Sequence, residues 1–369
     1  MESNADTSLS RAETKKMEPG TTWRKTLLVL NCLLLTGGNC GGPLILRLYF
    51  IRGGKRVWLS SWIQTAGFPI TLIPLFVSYM HRRRSAAHCH ATATTKLFVM
   101  KPWVLAASII MGILTGLVDY FYSYGIARIP VSTSSLIVAT QLAFTAGFAF
   151  LLVKQKFTAF SINAVVLLTV GAAVLALHTS GDRPDGESNK DYALGFVFTL
   201  SGTALAGFII PFLELTYLKA KQVVTYTLVM EIQMVMAFFA TAFCTVGMII
   251  NKDFQAISRE AKQYELGETK YYLVLVGAAI SLQGLFLGIG GVVYYGSSLL
   301  SGIIITVSLP VTELLAVIFF HEKFQAQKGI SLFLSLWGII SYFFGEMKHN
   351  KKNICQTEDE SERTRAVDP

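Results

Sequence analysis

Residues 224–250 read VTYTLVMEIQMVMAFFATAFCTVGMII, and Glu231 is the single charged side chain in this stretch. A helix of this length and composition spans the roughly 30 Å hydrocarbon core of a lipid bilayer. Similar apolar blocks occur throughout the chain, separated by short polar segments. The sequence therefore predicts an all-α integral membrane protein.

Ten such blocks predict ten transmembrane helices. Their bounds are Thr26–Leu46, Val57–Met80, Pro102–Ile126, Ile129–Val153, Ser161–His178, Tyr192–Tyr217, Val224–Ile250, Tyr271–Tyr295, Leu299–Phe320 and Gly329–Phe344. A polar stretch at 179–191 divides them into two groups of five. We expect an N-terminal tail (1–25), a first five-helix unit (26–178), the linker loop (179–191), a second unit (192–346) and a C-terminal tail (347–369).

Composition excludes several classes of protein. The chain is 52% hydrophobic and 15% charged, whereas soluble domains are about 25% charged. The net charge of +9 comes from Lys and Arg that flank the apolar blocks, so nucleic acid is not an expected partner. The five cysteines are scattered, and no metalloprotease, serine-hydrolase or phosphate-loop motif is present. We expect a protein that is not an enzyme and needs no cofactor or metal.

The two groups of five blocks are related by a shift of 167 residues. This shift aligns residues 153–157 (VKQKF) with 320–324 (FHEKF), Gly171 with Gly338 and Leu142 with Leu309. Because each unit has an odd number of spans, the two units cross the membrane in opposite senses. The pattern predicts two inverted five-helix repeats, an architecture of many secondary transporters.

Lys and Arg set the predicted orientation. With a cytoplasmic N-terminus, the inner segments hold 19 of these residues and the outer segments hold 13. The cluster Arg82, Arg83 and Arg84 directly follows the second block and favours this orientation, whereas Arg52 and Arg56 oppose it. We expect both termini in the cytoplasm.

Polar residues inside the apolar blocks are the candidate site. A charge at the centre of a spanning helix costs about 2.5–3.5 kcal/mol on insertion scales, so such residues tend to be functional. The alternative is a structural contact between helices, worth about 0.6–2 kcal/mol. The candidates in the blocks are Glu231, Asp119, Glu313, Gln141 and Gln283.

Gln64 is the counterpart of Glu231 under the 167-residue shift. Across a pseudo-two-fold axis in the membrane plane, we expect these two side chains to face one central cavity from opposite sides. An amide and a carboxylate in that arrangement bind a flat polar heteroaromatic ring by hydrogen bonds. The carboxylate of Glu231 also accepts a proton or balances a protonated amine.

The glycine-rich stretch 37–43 (GGNCGGP) interrupts the first block. Discontinuous helices mark substrate sites in transporters, and Asn39 is the polar group that such a break would present. The same glycines, spaced as Gly37/Gly41 and Gly38/Gly42, also suit close helix packing. Both interpretations are open at this point.

Several motifs resemble those of the plant purine permeases. They are NCGGPLILRLYF (39–50), TAGFP (65–69), PVSTSSL (130–136), FSINAVVLLTVG (160–171), MEIQ (230–233), LPVTE (309–313) and HEKFQA (321–326). The resemblance covers about residues 26–347. It implies a ten-helix carrier of the drug/metabolite transporter superfamily that imports adenine, cytokinins or related heterocycles by proton symport at the plasma membrane.

In the leading interpretation, a secondary active transporter, each candidate residue has an expected role. Glu231 is the expected central carboxylate, and Glu231, Asp119 and Glu313 are the proton-coupling candidates. Gln64, Asp119, Gln141, Gln283 and Asn39 are the expected hydrogen-bonding wall, and Tyr120 and Tyr124 form a stacking surface.

The chain departs from the expected family pattern at Val118, Ala206 and Leu282, where the family commonly has a polar or aromatic residue. Smaller side chains there imply a roomier pocket, which favours a nicotine-type or benzylisoquinoline alkaloid over adenine. The alternatives are a proton-independent facilitator of the same heterocycles and a membrane scaffold or receptor that transports nothing. The sequence indicates no oligomeric state.

Overall fold

The computed structural model of the chain describes residues 21–88, 100–126, 137–138, 140–155, 157–177, 189–320, 329–330, 333–334, 336–338, 340–345 and 348. Within these ranges every regular element is a helix, and no strand occurs.

The described helices follow the predicted order of apolar blocks. They are α1 (Thr21–Ile51), α2 (Val57–Ala66), α3 (Leu72–His88), α4 (Pro102–Ile126), α5 (Gln141–Phe148), α6 (Ala159–Leu177), α7 (Asn189–Leu218), α8 (Tyr226–Ile250), α9 (Asp253–Gln263), α10 (Glu268–Tyr295) and α11 (Ser298–Phe320). A 3₁₀ turn, Phe68–Thr71, joins α2 to α3, and a π-helical turn, Ala149–Val153, extends α5.

Six stretches are long and apolar enough to cross a membrane. They are Trp23–Ile51, Val57–Arg84, Pro102–Gly125, Ala193–Leu218, Tyr226–Ile250 and Glu268–Tyr295. Four shorter apolar helices are Gln141–Val153, Ala159–Gly171, Ser298–Thr312 and Leu336–Gly345. The protein is therefore a helical integral membrane protein.

The glycine-rich stretch of α1 does not break the helix, so of the two interpretations left open by the sequence the structure supports close packing. α1 continues through it from Thr21 to Ile51, with Pro43 inside the helix. A Cβ at Gly38 would lie 2.6 Å from the Ser281 carbonyl oxygen, and one at Gly41 would lie 2.6 Å from Ser281 Oγ. The glycines thus allow α1 to pack closely against α10 while α1 remains a continuous helix.

The break lies instead in the second span, between α2 and α3. Phe68 precedes Pro69, and a residue before proline disfavours α-helical geometry. A Cβ at Gly67 would lie 2.5 Å from the Ala279 carbonyl oxygen. The break therefore presses the backbone of the second span against α10.

Contacts between helices give their relative directions. Gly38 meets Leu285 and Gly42 meets Leu282, so α1 and α10 are antiparallel. Gly112 meets Met236 and Gly116 meets Ala240, so α4 and α8 are parallel. Both directions agree with spans that alternate in sense along the chain.

Three interhelix contacts recur when both partners are shifted by 167 residues in opposite directions. In each pair, the first contact joins α1 to α10 or α11, and the second contact joins α7 to α4 or α5. The pairs are Leu35–Gly288 with Gly202–Phe121, Asn31–Gly291 with Phe198–Tyr124, and Cys40–Ser308 with Gly207–Gln141. The offset found in the sequence thus relates contacts as well as residues.

A polar cluster ties the loops at one end of the bundle. The Tyr49 hydroxyl donates to Glu260 Oε1, the Tyr271 hydroxyl donates to the same oxygen at 3.2 Å, and Arg56 Nε lies 3.6 Å from Glu260 Oε2. We call these four residues the Glu260 cluster. Glu260 lies on α9, a short amphipathic helix that the sequence analysis did not predict.

Basic residues of the loop between α1 and α2 have acidic partners at this end. Arg52 Nη1 lies 3.2 Å from Glu265, and Arg56 Nη1 lies 3.5 Å from Asp253. Burial raises the pKa of the Asp253 carboxyl, a rise that Asn251 and Arg56 partly offset. Arg52 and Arg56 are therefore held by acidic partners at this end of the bundle.

Gly38→Ala should destabilise the protein by about 1–3 kcal/mol, because the new methyl group meets α10 backbone that cannot yield. Gly37→Ala is the matched control: nothing lies within 4 Å of its added Cβ, and alanine favours helix. Thermal unfolding of the detergent-solubilised protein measures both. Equal Tm values for the two variants would contradict the close-packing argument.

Glu260→Gln should lower stability by about 1.5–3 kcal/mol, the usual value of hydrogen bonds to a charged group. Glu265→Gln is the control, because its ion pair with Arg52 is exposed and such pairs contribute at most about 1 kcal/mol. The same unfolding assay compares them. A larger loss for Glu265→Gln would show that the cluster does not hold this end together.

Candidate functional site

Glu231 lies near the start of α8, at the end of the bundle opposite the Glu260 cluster. Thr225 caps α8 by accepting a hydrogen bond from the Leu228 amide at 3.3 Å. Glu231 follows Tyr226 by five residues, about 8 Å along the axis, and is 2% exposed. Arg82 Nη2 of α3 lies 4.0 Å from Glu231 Oε1. We call this the Arg82 end of the bundle.

Asp119 lies at a different depth. It is 4% exposed on α4, and its Oδ2 has no hydrogen-bond partner among the described residues. The Cys244 thiol contacts the carbonyl of Gly116, three residues before Asp119. Cys244 follows Glu231 by thirteen residues, which places the two carboxyl groups about 20 Å apart along α8. The structure does not bring them together.

Gln64 shares the layer of Asp119 and not that of Glu231. Its Nε2 lies 3.4 Å from Ser123 Oγ on α4, and the adjacent Thr65 accepts a hydrogen bond from Thr241 at 3.0 Å. Thr241 follows Glu231 by ten residues, about 15 Å along α8. In this conformation the expected pair, Gln64 and Glu231, occupies opposite depths instead of facing across one cavity.

Gln283 is the least satisfied of the candidates. It is 1% exposed on α10, and neither its Oε1 nor its Nε2 has a hydrogen-bond partner among the described residues. It packs at the break between α2 and α3, since a Cβ at Gly67 would lie 2.8 Å from Gln283 Cβ. A buried amide with both ends unpaired is costly unless a ligand or water satisfies it.

The two tyrosines belong to an aromatic cluster in the layer of Asp119. Tyr120 stacks on Trp58 with ring centroids 4.1 Å apart, and Tyr124 meets Phe198 edge-to-face at 4.8 Å. Trp58 also borders a cavity of about 310 Å³. The tyrosines therefore already pack against protein rings.

Of the remaining candidates, Gln141 and Asn39 are hydrogen-bonded. Tyr122 donates to Gln141 Oε1 at 3.5 Å, and Asn39 Nδ2 donates to the Ile305 carbonyl at 3.1 Å. The side chain of Glu313 on α11 lies outside the described part of the structure.

The positions taken as evidence for a roomier pocket lie among packed helices. Leu282 is 3% exposed and rests on Gly42 of α1, and Val118 is 6% exposed in the main core. Ala206 also packs against that core. A small side chain at Leu282 or Val118 therefore adds no room to a cavity in this conformation.

Sequence reasoning missed Arg82 and Glu214. Arg82 was interpreted as evidence for membrane orientation, yet its side chain points to Glu231. Its position at the end of an apolar span was the sequence feature that could have marked it as a candidate. Glu214 was not selected as a candidate, and its Oε2 accepts a hydrogen bond from the Ser298 amide at 2.7 Å. There it caps α11, where a carboxylate stabilises the helix dipole.

Gln283→Met should leave the fold as stable as before or more stable by about 1 kcal/mol, because it removes an unpaired buried amide. Gln233→Met is the matched control, since Gln233 is about as buried but interacts with Tyr217, so its loss should destabilise. Thermal unfolding is measured for both variants. A lower Tm for Gln283→Met than for Gln233→Met would contradict the argument that the Gln283 amide is unsatisfied.

The chain is similar to known proteins over most of its length. A family model described as purine nucleobase transmembrane transport matches residues 26–352. Purine permease 3 of Arabidopsis thaliana is 52% identical over 340 residues, covering 92% of this chain and 96% of that protein. Purine permease 2 of the same plant is 49% identical, covering 90% of this chain and 95% of that protein.

A chain in a solved crystal structure matches the fold with a TM-score of 0.58 at 14% identity, covering 86% of this chain and 97% of that chain. The long apolar helices together with the family match identify a membrane permease, and the family is one of transporters and not of enzymes. The chain belongs to the plant purine permease family.

Proposed function

We propose that the protein is a secondary active, proton-coupled carrier that imports purine-like nitrogen heterocycles. The observation that carries the proposal is Glu231, a carboxylate 2% exposed inside an apolar span of a chain from the purine permease family. A purine presents N–H donors and ring-nitrogen acceptors along its edge, and a carboxylate binds such donors strongly.

The other candidates act along the path and not as one shell. Glu231 lies toward the Arg82 end, and Asp119, Gln64, Tyr120 and Tyr124 lie toward the Glu260 end. We propose that the substrate contacts one layer before, and the second layer after, the two repeats rock against each other. Unpaired Gln283 supplies a donor and an acceptor, and Gln141 and Asn39 complete the proposed wall.

Proton coupling is proposed for Glu231, Asp119 and Glu313. Burying a carboxylate without a cation costs much more free energy than burying the neutral acid. A carboxyl group that gains and loses a proton therefore favours different conformations in its two states. Asp119 suits this role because its buried Oδ2 has no partner among the described residues.

The proposed architecture is ten transmembrane helices in two inverted repeats, 26–178 and 192–346, joined by a loop at 179–191. The six long and four shorter apolar helices support it, as do the helix directions and the three contacts repeated at the 167-residue offset. We place both tails, 1–25 and 347–369, in the cytoplasm and the protein in the plasma membrane. Exposed Arg83 and Arg84 at the Arg82 end support that orientation.

Purine-like substrates are the first candidate. An alkaloid is the second, and it rests on the small side chain of half-buried Ala206, since Leu282 and Val118 are packed between helices. A proton-independent facilitator would carry the same heterocycles without a gradient, and a scaffold or receptor would carry none.

The test is uptake of labelled adenine and of a labelled alkaloid by cells that express the chain, each with and without a protonophore. We expect saturable adenine uptake that falls at least tenfold when the gradient is dissipated, and at least tenfold in Glu231→Gln. Glu214→Gln is the matched control, because that carboxylate caps α11 and should affect stability more than transport.

Each other outcome selects an alternative. Adenine uptake that ignores the protonophore would identify a facilitator, and uptake of the alkaloid in preference to adenine would identify the alkaloid branch. Absence of any uptake by a correctly localised protein would favour the scaffold or receptor.

A further inference from the structure

A groove opens at the Arg82 end of the bundle, between α3 and the start of α8. Its volume is about 780 Å³. It is lined by one stripe of α3 and by two threonines at the α8 N-terminus: Ile73, Pro74, Val77, Ser78, His81, Arg82, Thr225 and Thr227. The groove is mostly apolar, and its polar groups gather at the end where α8 begins.

Arg82 connects this groove to Glu231. Its side chain is 31% exposed and lines the groove, while its Nη2 lies 4.0 Å from the carboxylate, whose side chain is 2% exposed. The two helices also meet through Ser78 Oγ and Thr227 Oγ1, 3.0 Å apart. Arg82 thus stands between this groove and the proposed central carboxylate.

The ion pair is loose. A charge-assisted hydrogen bond between Arg and a carboxylate is about 2.7–2.9 Å long, so at 4.0 Å the two groups attract each other without a short bond. Arg82 Nε is also buried and has no hydrogen-bond partner among the described residues. A guanidinium with an unused donor and a distant acceptor is poised to change partners.

We propose that Arg82 is a positioning residue that holds Glu231 in the empty carrier and releases it when Glu231 takes up a proton or a substrate N–H. Release removes the attraction between α3 and α8, and the groove then reaches Glu231. The inference rests on the proposed function, because it uses Glu231 as the central carboxylate.

Other titratable groups at this end could also affect the pH profile of uptake, so the test must distinguish their effect from that of Arg82. They include Arg24 on α1, His81 on α3, Lys101 before α4, Tyr217 and Glu214 on α7, Lys221 before α8, Tyr226 on α8, and Tyr294 and Tyr295 on α10. Arg82 forms an ion pair with Glu231.

The experiment uses the full-length carrier with Arg82→Gln, Arg82→Lys, Glu231→Gln and the double variant Arg82→Gln/Glu231→Gln. Arg83→Gln is the matched control, an exposed neighbour on the same turn. The first readout is Tm in detergent, and the second is the initial rate of adenine uptake over a series of external pH values at fixed internal pH.

We expect Arg82→Gln to lower Tm because it removes the cation that pairs with a buried carboxylate, and the double variant to recover most of that loss because both charges are gone. Arg82→Gln should also flatten the pH profile of uptake, reducing stimulation by the gradient at least threefold. Arg82→Lys should retain the profile, and this variant serves if Arg82→Gln does not fold. Arg83→Gln should resemble the parent in both readouts.

Two results would overturn the proposal. Additive Tm losses in the double variant would show that the two side chains are not coupled. A wild-type pH profile in folded Arg82→Gln would show that Arg82 only supports structure. If Glu231→Gln itself transports normally while the Tm losses are still coupled, the pair exists but the proposed function fails, and the two failures are thereby distinguished.

Discussion

Close approach of helix backbones is the constraint on which the rest of this structure depends. In lipid there is no hydrophobic gain from bringing two apolar helices together, so packing at short range must hold them. Gly38, Gly41 and Gly288 let α1 and α10 touch along their backbones. That contact fixes Gln283 at the break of the second span and Asn39 against α11. The polar groups of the candidate site are thus positioned by residues that have no polar side chain.

The polar groups fall into two layers, one toward each end of the bundle. Asp119 and Gln64 share one layer with the stacked rings of Trp58 and Tyr120, while Glu231 and Arg82 form the other. An inverted repeat produces such a pair of layers, because equivalent positions lie on opposite sides of the midplane. The proposed inverted repeat would account for the separation of about 15 Å between the counterparts Gln64 and Glu231.

Much of the fold was predictable from the sequence, because a transmembrane span requires only sufficient length and an apolar composition. The predicted block at 224–250 and α8 (Tyr226–Ile250) differ by two residues at one end. The glycine-rich stretch of α1 was ambiguous, since both a break and close packing use glycine, and only the partner helix decides. The break at Pro69 was missed because it lies inside a block long and apolar enough to read as one continuous span, and the helix α9 was missed because it is polar.

The candidate site was predicted less well than the fold. Burial of Glu231, Asp119 and Gln283 was foreseeable from their place in apolar blocks. Which of them share a depth was not, because that depends on where each helix crosses its neighbours. Arg82 was missed for a similar reason: an arginine at the end of a span can extend outward to the lipid headgroups or inward to an acid. The sequence gives no sign of which direction it takes.

The pairing of α1 with α10 also has a consequence for biosynthesis. α1 ends at Ile51 and α10 begins at Glu268, so the ribosome makes more than 200 residues between them. At about 5–20 residues per second this interval lasts roughly 10–45 s. During that time the glycine face of α1 stands in the membrane without its partner. The nascent first half therefore needs a temporary neighbour, lipid or insertion machinery, until translation delivers the helix that replaces it.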